Sequence, residues 1–412
     1  MTYLGTGTRN IVLVAVALLL GCSSEEPVTT SATAETVQPA SGIHIATLST
    51  RPWLVSGGDV LVEITLDPQY RAEDLRISLG GADVTTEFRQ VADRRVQGLL
   101  EGLPLGDSEL IARLAGSANE ASLVLSNYPI GGPIISGPHE QPFYCQTTDF
   151  VTVAGATLDA AVDTDCNVPT QVDYVYWSTE QEAFVPLSGA ERPADLGLIA
   201  SRGSLLPYIV RVETGTVNRA IYEIAMLHDP AEGGVDPWNR SNLWNGKLVY
   251  THGGGCRGGW YQQGDSTGGV MRDGLFELGY AVVSSSLNVF GQNCNDLLAS
   301  ETHIMVKERF IEHYGVPDYT IATGASGGSY QSHQTADNYP GVFDGIIVAA
   351  SFPDVTSATI FTLADSRLLN YYFTQQNPDG FSAEQQRAVA GFGSWGSIAN
   401  LSRGAARLDP LY

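Results

Sequence analysis

Between residues 247 and 350 the chain alternates apolar runs with segments of helical spacing, and this alternation limits the available folds more than any other feature. "KLVYT" (247–251) and "YAVVSSS" (280–286) are continuous apolar runs of the buried-strand type. Residues 296–314, "DLLASETHIMVKERFIEHY", place Leu297, Ile304 and Ile311 on one helical face, joined by Met305 and Tyr314. Asp296 is the expected N-cap and Gly315 the C-cap, and Pro317 bars continuation. "YTIAT" (319–323) then reads as a strand, "SYQSHQTADNY" (329–339) as a helix and "FDGIIVAAS" (343–351) as a further strand. Strands alternating with helices imply a mostly parallel sheet with helices on its faces, an α/β architecture.

A chain of 412 residues is too long for one small core, and its organisation changes along its length. Arg9 precedes the apolar run "IVLVAVALLL" (11–20), which is too short to span a bilayer comfortably and has the length of a signal-peptide core. Ending in Leu19-Leu20-Gly21-Cys22, residues 1–21 resemble a bacterial lipoprotein signal, which implies cleavage before Cys22, lipidation of its sulfur and anchorage at the outer membrane or cell surface. Residues 22–41 are small and polar, with two prolines, and read as a disordered tether. From 42 to 128 short alternating runs appear. In "DVLVEITL", Val60, Val62, Ile64 and Leu66 share one face, and turn clusters such as "LGGAD" intervene. That pattern predicts a small immunoglobulin-like β-sandwich, serving as a spacer or docking module. "NYPIGGPIISGP" (127–138) joins it to the α/β domain, assigned to residues 129–412.

The formal net charge of −23 argues against a nucleic-acid partner, whose phosphates would be repelled. Setting Cys22 aside as a lipid anchor leaves four cysteines, an even number that suits an oxidising compartment. Four cysteines allow three pairings; joining sequence neighbours gives Cys145 with Cys166 and Cys256 with Cys294. No cysteine or histidine cluster has zinc spacing, so no metal or other cofactor is expected.

Two stretches match Gly-x-Ser-x-Gly: "GASGG" around Ser326 and "GDSTG" around Ser266. A nucleophile elbow needs a buried strand before the serine and a helix directly after it, with glycines that let the turn close. Ser326 has both, whereas Ser266 follows "WYQQ" in a glycine-rich loop with no strand leading in. Acyl transfer also needs two N–H groups aimed at the developing oxyanion. Gly327 is one candidate donor. "LVYTHGGGC" supplies the others, Gly253 and Gly254, directly after an apolar strand.

"HGGGC" together with "GASGGSYQSHQTADNYPGVFDGIIVAA" resembles the α/β-hydrolase superfamily, in particular the secreted tannase and feruloyl esterase group and related bacterial hydrolases. The resemblance covers about residues 245–350. It implies a serine esterase using an acyl-enzyme on Ser326. In the tannase group a cysteine precedes the nucleophile; this chain has Ala325 there, which puts a tannase-like substrate in question.

The superfamily order is serine, acid, histidine. His333 is the one histidine after Ser326, seven residues on in the same helix, so its backbone lies about 10 Å along the axis, and it is a poor candidate base. His303 and His313, flanked by charged residues, read as solvated side chains, and His252 as a support for its loop. Asp354, Asp365 and Asp379 are available acids, though none ends a convincing strand. The expectation is therefore that the α/β domain is truncated, with acid and histidine beyond residue 412. Trp260, Tyr261 and Tyr330 would face an aromatic acyl group or simply pack. The leading reading is an exported hydrolase of small-molecule or oligomeric esters. A peptidase on the same fold, or a degenerate surface binding protein, is the alternative.

Overall fold

The computed structural model describes residues 42–189, 192–256, 261–351 and 364–391. The signal at 1–21, Cys22, the tether at 22–41, Trp260 and Asp354 lie outside the described residues. No helix among the described residues is long and apolar enough to cross a membrane.

The amino-terminal strands are β1 (Ile43–Thr47), β2 (Val55–Ser56), β3 (Val60–Leu66), β4 (Leu75–Leu79), β5 (Ala82–Asp83), β6 (Phe88–Ala92), β7 (Arg95–Leu100), β8 (Gly106–Leu114) and β9 (Glu120–Tyr128). They form two sheets, ordered β1-β3-β7-β6 and β2-β9-β8-β4-β5. Val60, Val62, Ile64 and Leu66 of β3 meet Leu75, Ile77, Leu110 and Leu125 in one buried cluster, so the alternating residues of both sheets face each other. The opposite face of β3 is not left to water. Leu61, 1 % exposed, belongs to the core of the following α/β region.

That region is built on an eight-stranded mixed sheet. Its strands are β10 (Gln171–Ser178), β11 (Ala183–Pro186), β12 (Ile209–Val217), β13 (Ala220–Leu227), β14 (Lys247–Thr251), β15 (Ala281–Ser285), β16 (Tyr319–Ala325) and β17 (Gly345–Ala349). The order is β11-β10-β12-β13-β15-β14-β16-β17. From β15 to β17 all neighbours are parallel, in keeping with the alternation of strands and helices in the sequence. The expected mostly parallel sheet is extended by an antiparallel half, β11 through β13, that joins β15 edge to edge.

Both faces of the sheet are covered, which is why β15 is buried at every position. Val283 faces a core with Ile304, Met305 and Phe310 of helix α2 (Asp296–Tyr314), while Val282 faces Phe276 of helix α1 (Asp273–Glu277). Each such side chain contributes about 1.5–3 kcal/mol by leaving water. Helix α2 is capped by the Asn295 side chain, which accepts from Leu298 N–H, one residue before the expected Asp296, and it ends at Gly315 as expected. Leu297 is partly exposed, but the rest of α2 is buried on almost every side, between the sheet and the sandwich.

The junction with the sandwich is polar and closed. Glu308 of α2, buried, accepts Ser56 N–H at 3.0 Å and the Ser56 hydroxyl. Glu301, about two turns earlier on the same face, accepts the N–H groups of Ile134, Ile135 and Ser136 at 2.7, 2.5 and 2.7 Å, so the connecting segment is fixed to the helix. Disulfides join Cys145 to Cys166 and Cys256 to Cys294.

Candidate active site

Strand β16 ends at Ala325, and helix α3 (Gly327–Asn338) starts one residue after Ser326. Ser326 makes the reversal alone, at φ 57° and ψ −120°. A non-glycine residue held at positive φ costs on the order of 1–3 kcal/mol and persists only where its surroundings fix it. Here Ser326 N–H donates to Ala349 of β17 at 3.2 Å, and its carbonyl accepts Ser329 N–H at 2.9 Å and Tyr330 N–H at 3.1 Å. The residue is exposed, and its hydroxyl stands at the end of the parallel half of the sheet. Tight crossings explain the flanking glycines. A β-carbon on Gly324 would come within 2.9 Å of both Gly328 Cα and His252 Cβ.

The triple-glycine loop follows β14 and lies against this elbow. A β-carbon on Gly254 would stand 2.9 Å from the Ala325 carbonyl oxygen, and one on Gly327 only 2.0 Å from the Gly255 carbonyl oxygen. Among the described residues no acceptor takes the N–H of Gly254 or of Gly327, the latter being one of the unpaired donors at the head of α3. Gly253 differs from its expected role as a donor. Its N–H is already given to the Asn288 carbonyl at 2.9 Å, which leaves Gly254 and Gly327 as the candidate donors beside the serine. The loop is held from behind by Gly291 N–H on the Gly254 carbonyl at 2.8 Å and by the Cys256–Cys294 bridge.

All seven histidines are described, and none hydrogen-bonds to Ser326 Oγ. His252 is buried beneath its loop. Its Nδ1 lies 2.8 Å from Ser332 Oγ, whose own proton goes to the Gly328 carbonyl, so Nδ1–H is the donor. Burial pushes its pKa down to about 3, which keeps it neutral. The ring packs 4.6 Å from that of His303. His303 is fully buried rather than solvated, with Nδ1 2.9 Å from Thr335 Oγ1 and a pKa held well below the usual value by burial. His313 is also largely enclosed, and burial lowers it to about 4. The charged neighbours of these two suggested solvent; instead His303 is closed in by the Tyr250 and Phe343 rings and by Thr335 of α3, and His313 lies beside Arg309 and Glu213. His333 turns its Nε2 to Ser351 Oγ at 2.7 Å, beyond β17.

Ser266 sits in an exposed loop, where its Oγ accepts from Gln292 at 2.6 Å, and no strand leads into it. Tyr330 is partly buried, its hydroxyl donating to Asp296 at 3.0 Å, and Tyr261 meets Tyr144 edge-on at 6.1 Å. Asp365 and Asp379 bond to no histidine among the described residues. The site missed by sequence reasoning lies behind the loop: Asn288 and Gln331, both fully buried, bond to each other and to Gly253. The one sequence signal for this pair is two amides embedded in apolar or small-residue surroundings.

A family model described as a tannase-like family of unknown function (DUF6351) matches residues 45–410. No curated protein matches. Among solved structures, the tannin acyl hydrolase from Aspergillus niger is 17 % identical over 55 % of this chain and 40 % of its own, with a TM-score of 0.26. The chain thus spans about two fifths of that enzyme's length. The peroxisomal alpha-beta-hydrolase Lpx1 from Saccharomyces cerevisiae is 11 % identical over 59 % of this chain and 68 % of its own, with a TM-score of 0.22. The carboxylesterase EST55 from Geobacillus stearothermophilus is 14 % identical over 60 % of this chain and 52 % of its own, with a TM-score of 0.23.

Proposed function

This chain belongs to that tannase-like family, and we propose that it is a serine hydrolase that cleaves carboxylic esters through an acyl-enzyme on Ser326. One observation carries the reading: an exposed serine on a strained strand-to-helix turn, flanked by N–H groups of Gly254 and Gly327 that have no acceptor among the described residues. Ser326 Oγ attacks the acyl carbon and gives up its proton. The carbonyl oxygen becomes an oxyanion between the two amides, each worth about 2.7–4 kcal/mol in a preorganised hole. Collapse expels the alcohol, which takes a proton, and water then releases the acid and restores the serine.

No proton acceptor meets Ser326 among the described residues. Among the described residues the histidines are bonded elsewhere or titrate low, so the reading needs a base and an acid partner that these residues do not bring to Ser326. The same gap favours a second reading, a surface binding protein that has kept the fold and not the chemistry. The two disulfides suit an oxidising, extracytoplasmic compartment. Cys22 is proposed as the lipidated residue; metabolic labelling with a fatty acid, lost in Cys22→Ser, tests it.

A fluorophosphonate probe separates the two readings. Modification of Ser326 in the wild type, absent in Ser326→Ala, supports the hydrolase. An intact, folded wild-type protein that resists the probe at prolonged exposure supports the binder.

A further inference from the structure

Three successive glycines give the loop after β14 wide backbone freedom of its own, so a hole that uses Gly254 N–H depends on bonds that fix that peptide's orientation. Gln331 meets the requirement. It lies on α3, five residues after Ser326, and is completely buried. Its Nε2 donates to the Gly253 carbonyl at 3.2 Å and to the Asn288 carbonyl at 3.0 Å. Its Oε1 accepts from Asn288 Nδ2 at 3.2 Å.

The orientation of this amide is forced. Both groups at Nε2 are carbonyls, which only accept. Asn288 Oδ1 is occupied by the hydroxyls of Tyr250 at 2.7 Å and Ser285 at 2.6 Å, so Asn288 presents its NH2 to Gln331. In a trans peptide the C=O and N–H point in opposite directions. The Gly253 carbonyl is held by Gln331 and, at 3.4 Å, by Phe290 N–H, so the Gly254 N–H of the same planar unit points the opposite way, while the α-carbon of Gly254 packs against Ala325 and Ser326.

We propose that Gln331 is a positioning residue for the oxyanion hole, acting on the direction of Gly254 N–H through the Gly253 carbonyl. The proposal rests on the reading of Ser326 as nucleophile, and its tests include one that does not. Gln331→Met removes the amide, and Gln331→Glu keeps the shape while replacing the donor nitrogen with oxygen. In each variant the maximal rate and the half-saturation concentration of fluorophosphonate labelling are measured, with hydrogen exchange over residues 252–256. The expected result is a maximal rate about 10- to 100-fold lower, less than the roughly 10²–10³ lost with a whole donor. Half-saturation stays within about threefold, and the Gly253 amide exchanges at least tenfold faster as the loop loosens. An unchanged maximal rate, or a change confined to half-saturation, overturns the proposal. If the wild type never labels, the hydrolase reading fails and exchange alone decides: unaltered exchange overturns the role of Gln331. Collapse of both variants also counts against it, since a strut for one loop does not carry the fold.

Discussion

Gly254 lies against the elbow at Ser326 with no room for a side chain: a β-carbon there would lie 3.6 Å from Ser326 Cβ and only 2.9 Å from the carbonyl oxygen of the preceding Ala325. Gly254→Ala therefore has to displace either the loop or the elbow, since neither neighbour is a flexible side chain. The expected outcome is labelling of Ser326 slowed by about tenfold or more, approaching the roughly 10²–10³ of a lost donor. The thermal midpoint should move little, because Gly254 is only partly buried and the shift is local. Stopped-time labelling beside a melting curve measures both.

His333 Nε2 and Ser351 Oγ lie 2.7 Å apart, just beyond the end of β17. His333→Ala is expected to change the labelling rate of Ser326 by no more than about threefold. Loss of a general base would cost about 10²–10⁴. A drop in that larger range would make His333 the proton acceptor after a side-chain rotation.

The Cys256–Cys294 bridge closes a loop spanning 38 residues and ties the triple-glycine segment to the turn that follows β15. Chain-entropy arguments put the stabilisation at about 4 kcal/mol for that length. Cys256→Ser with Cys294→Ser should lower the midpoint of denaturant unfolding, and slow labelling, more than the same pair of changes at Cys145 and Cys166, whose bridge is remote from the loop glycines in sequence. Equal effects of the two bridges on labelling would count against a role for the nearer one in holding the loop.

Glu308 and Glu312 lie one turn apart on α2, both buried, with Asp59 of the sandwich contributing a third carboxyl and Arg309 the nearest cation. Burial, reinforced by mutual repulsion, raises the pKa of both glutamates well above 4.5, and burial raises that of Asp59. Ser56 donates twice to Glu308 and Ser49 once to Glu312, so the donors favour charge on Glu308 and the proton on Glu312. A raised carboxyl pKa means the folded state binds more protons than the unfolded, so this stabilisation is complete below about 4.5 and is lost as pH rises through the folded values. The buried histidines act with the opposite slope. Their depressed values leave stability complete above 6.5 and lost as pH falls toward about 3. Glu312→Gln should raise the melting temperature at pH 8 by about 2 °C or more and flatten its decline from pH 6 to 9. A melting temperature that falls in the variant at pH 8 would contradict this assignment of the proton.

The elbow and its sheet were legible because each depends on local pattern. Apolar runs at 247–251 and 280–286 become β14 and β15, and the helical spacing at 296–314 becomes α2 with the same bounds. The pairing of the four cysteines followed sequence proximity. What was not legible depends on packing between distant segments. His303 reads as solvated beside Glu301 and Glu308, yet all three are buried, because β2, the 129–138 segment and α3 close over α2. The loss of Gly253 as a donor needs the position of Asn288, thirty-five residues away, which no spacing rule supplies. The antiparallel half of the sheet also escaped notice, since β12 and β13 alternate poorly where both faces are covered.

Glu301 gathers three successive amides of the 134–136 stretch, and Glu308 holds Ser56 a little further along the same helix. A hinge would need those amides free to exchange partners with water; here they are riveted to the rod that backs the nucleophile strand. Any swing of the sandwich against α2 would have to break these bonds first.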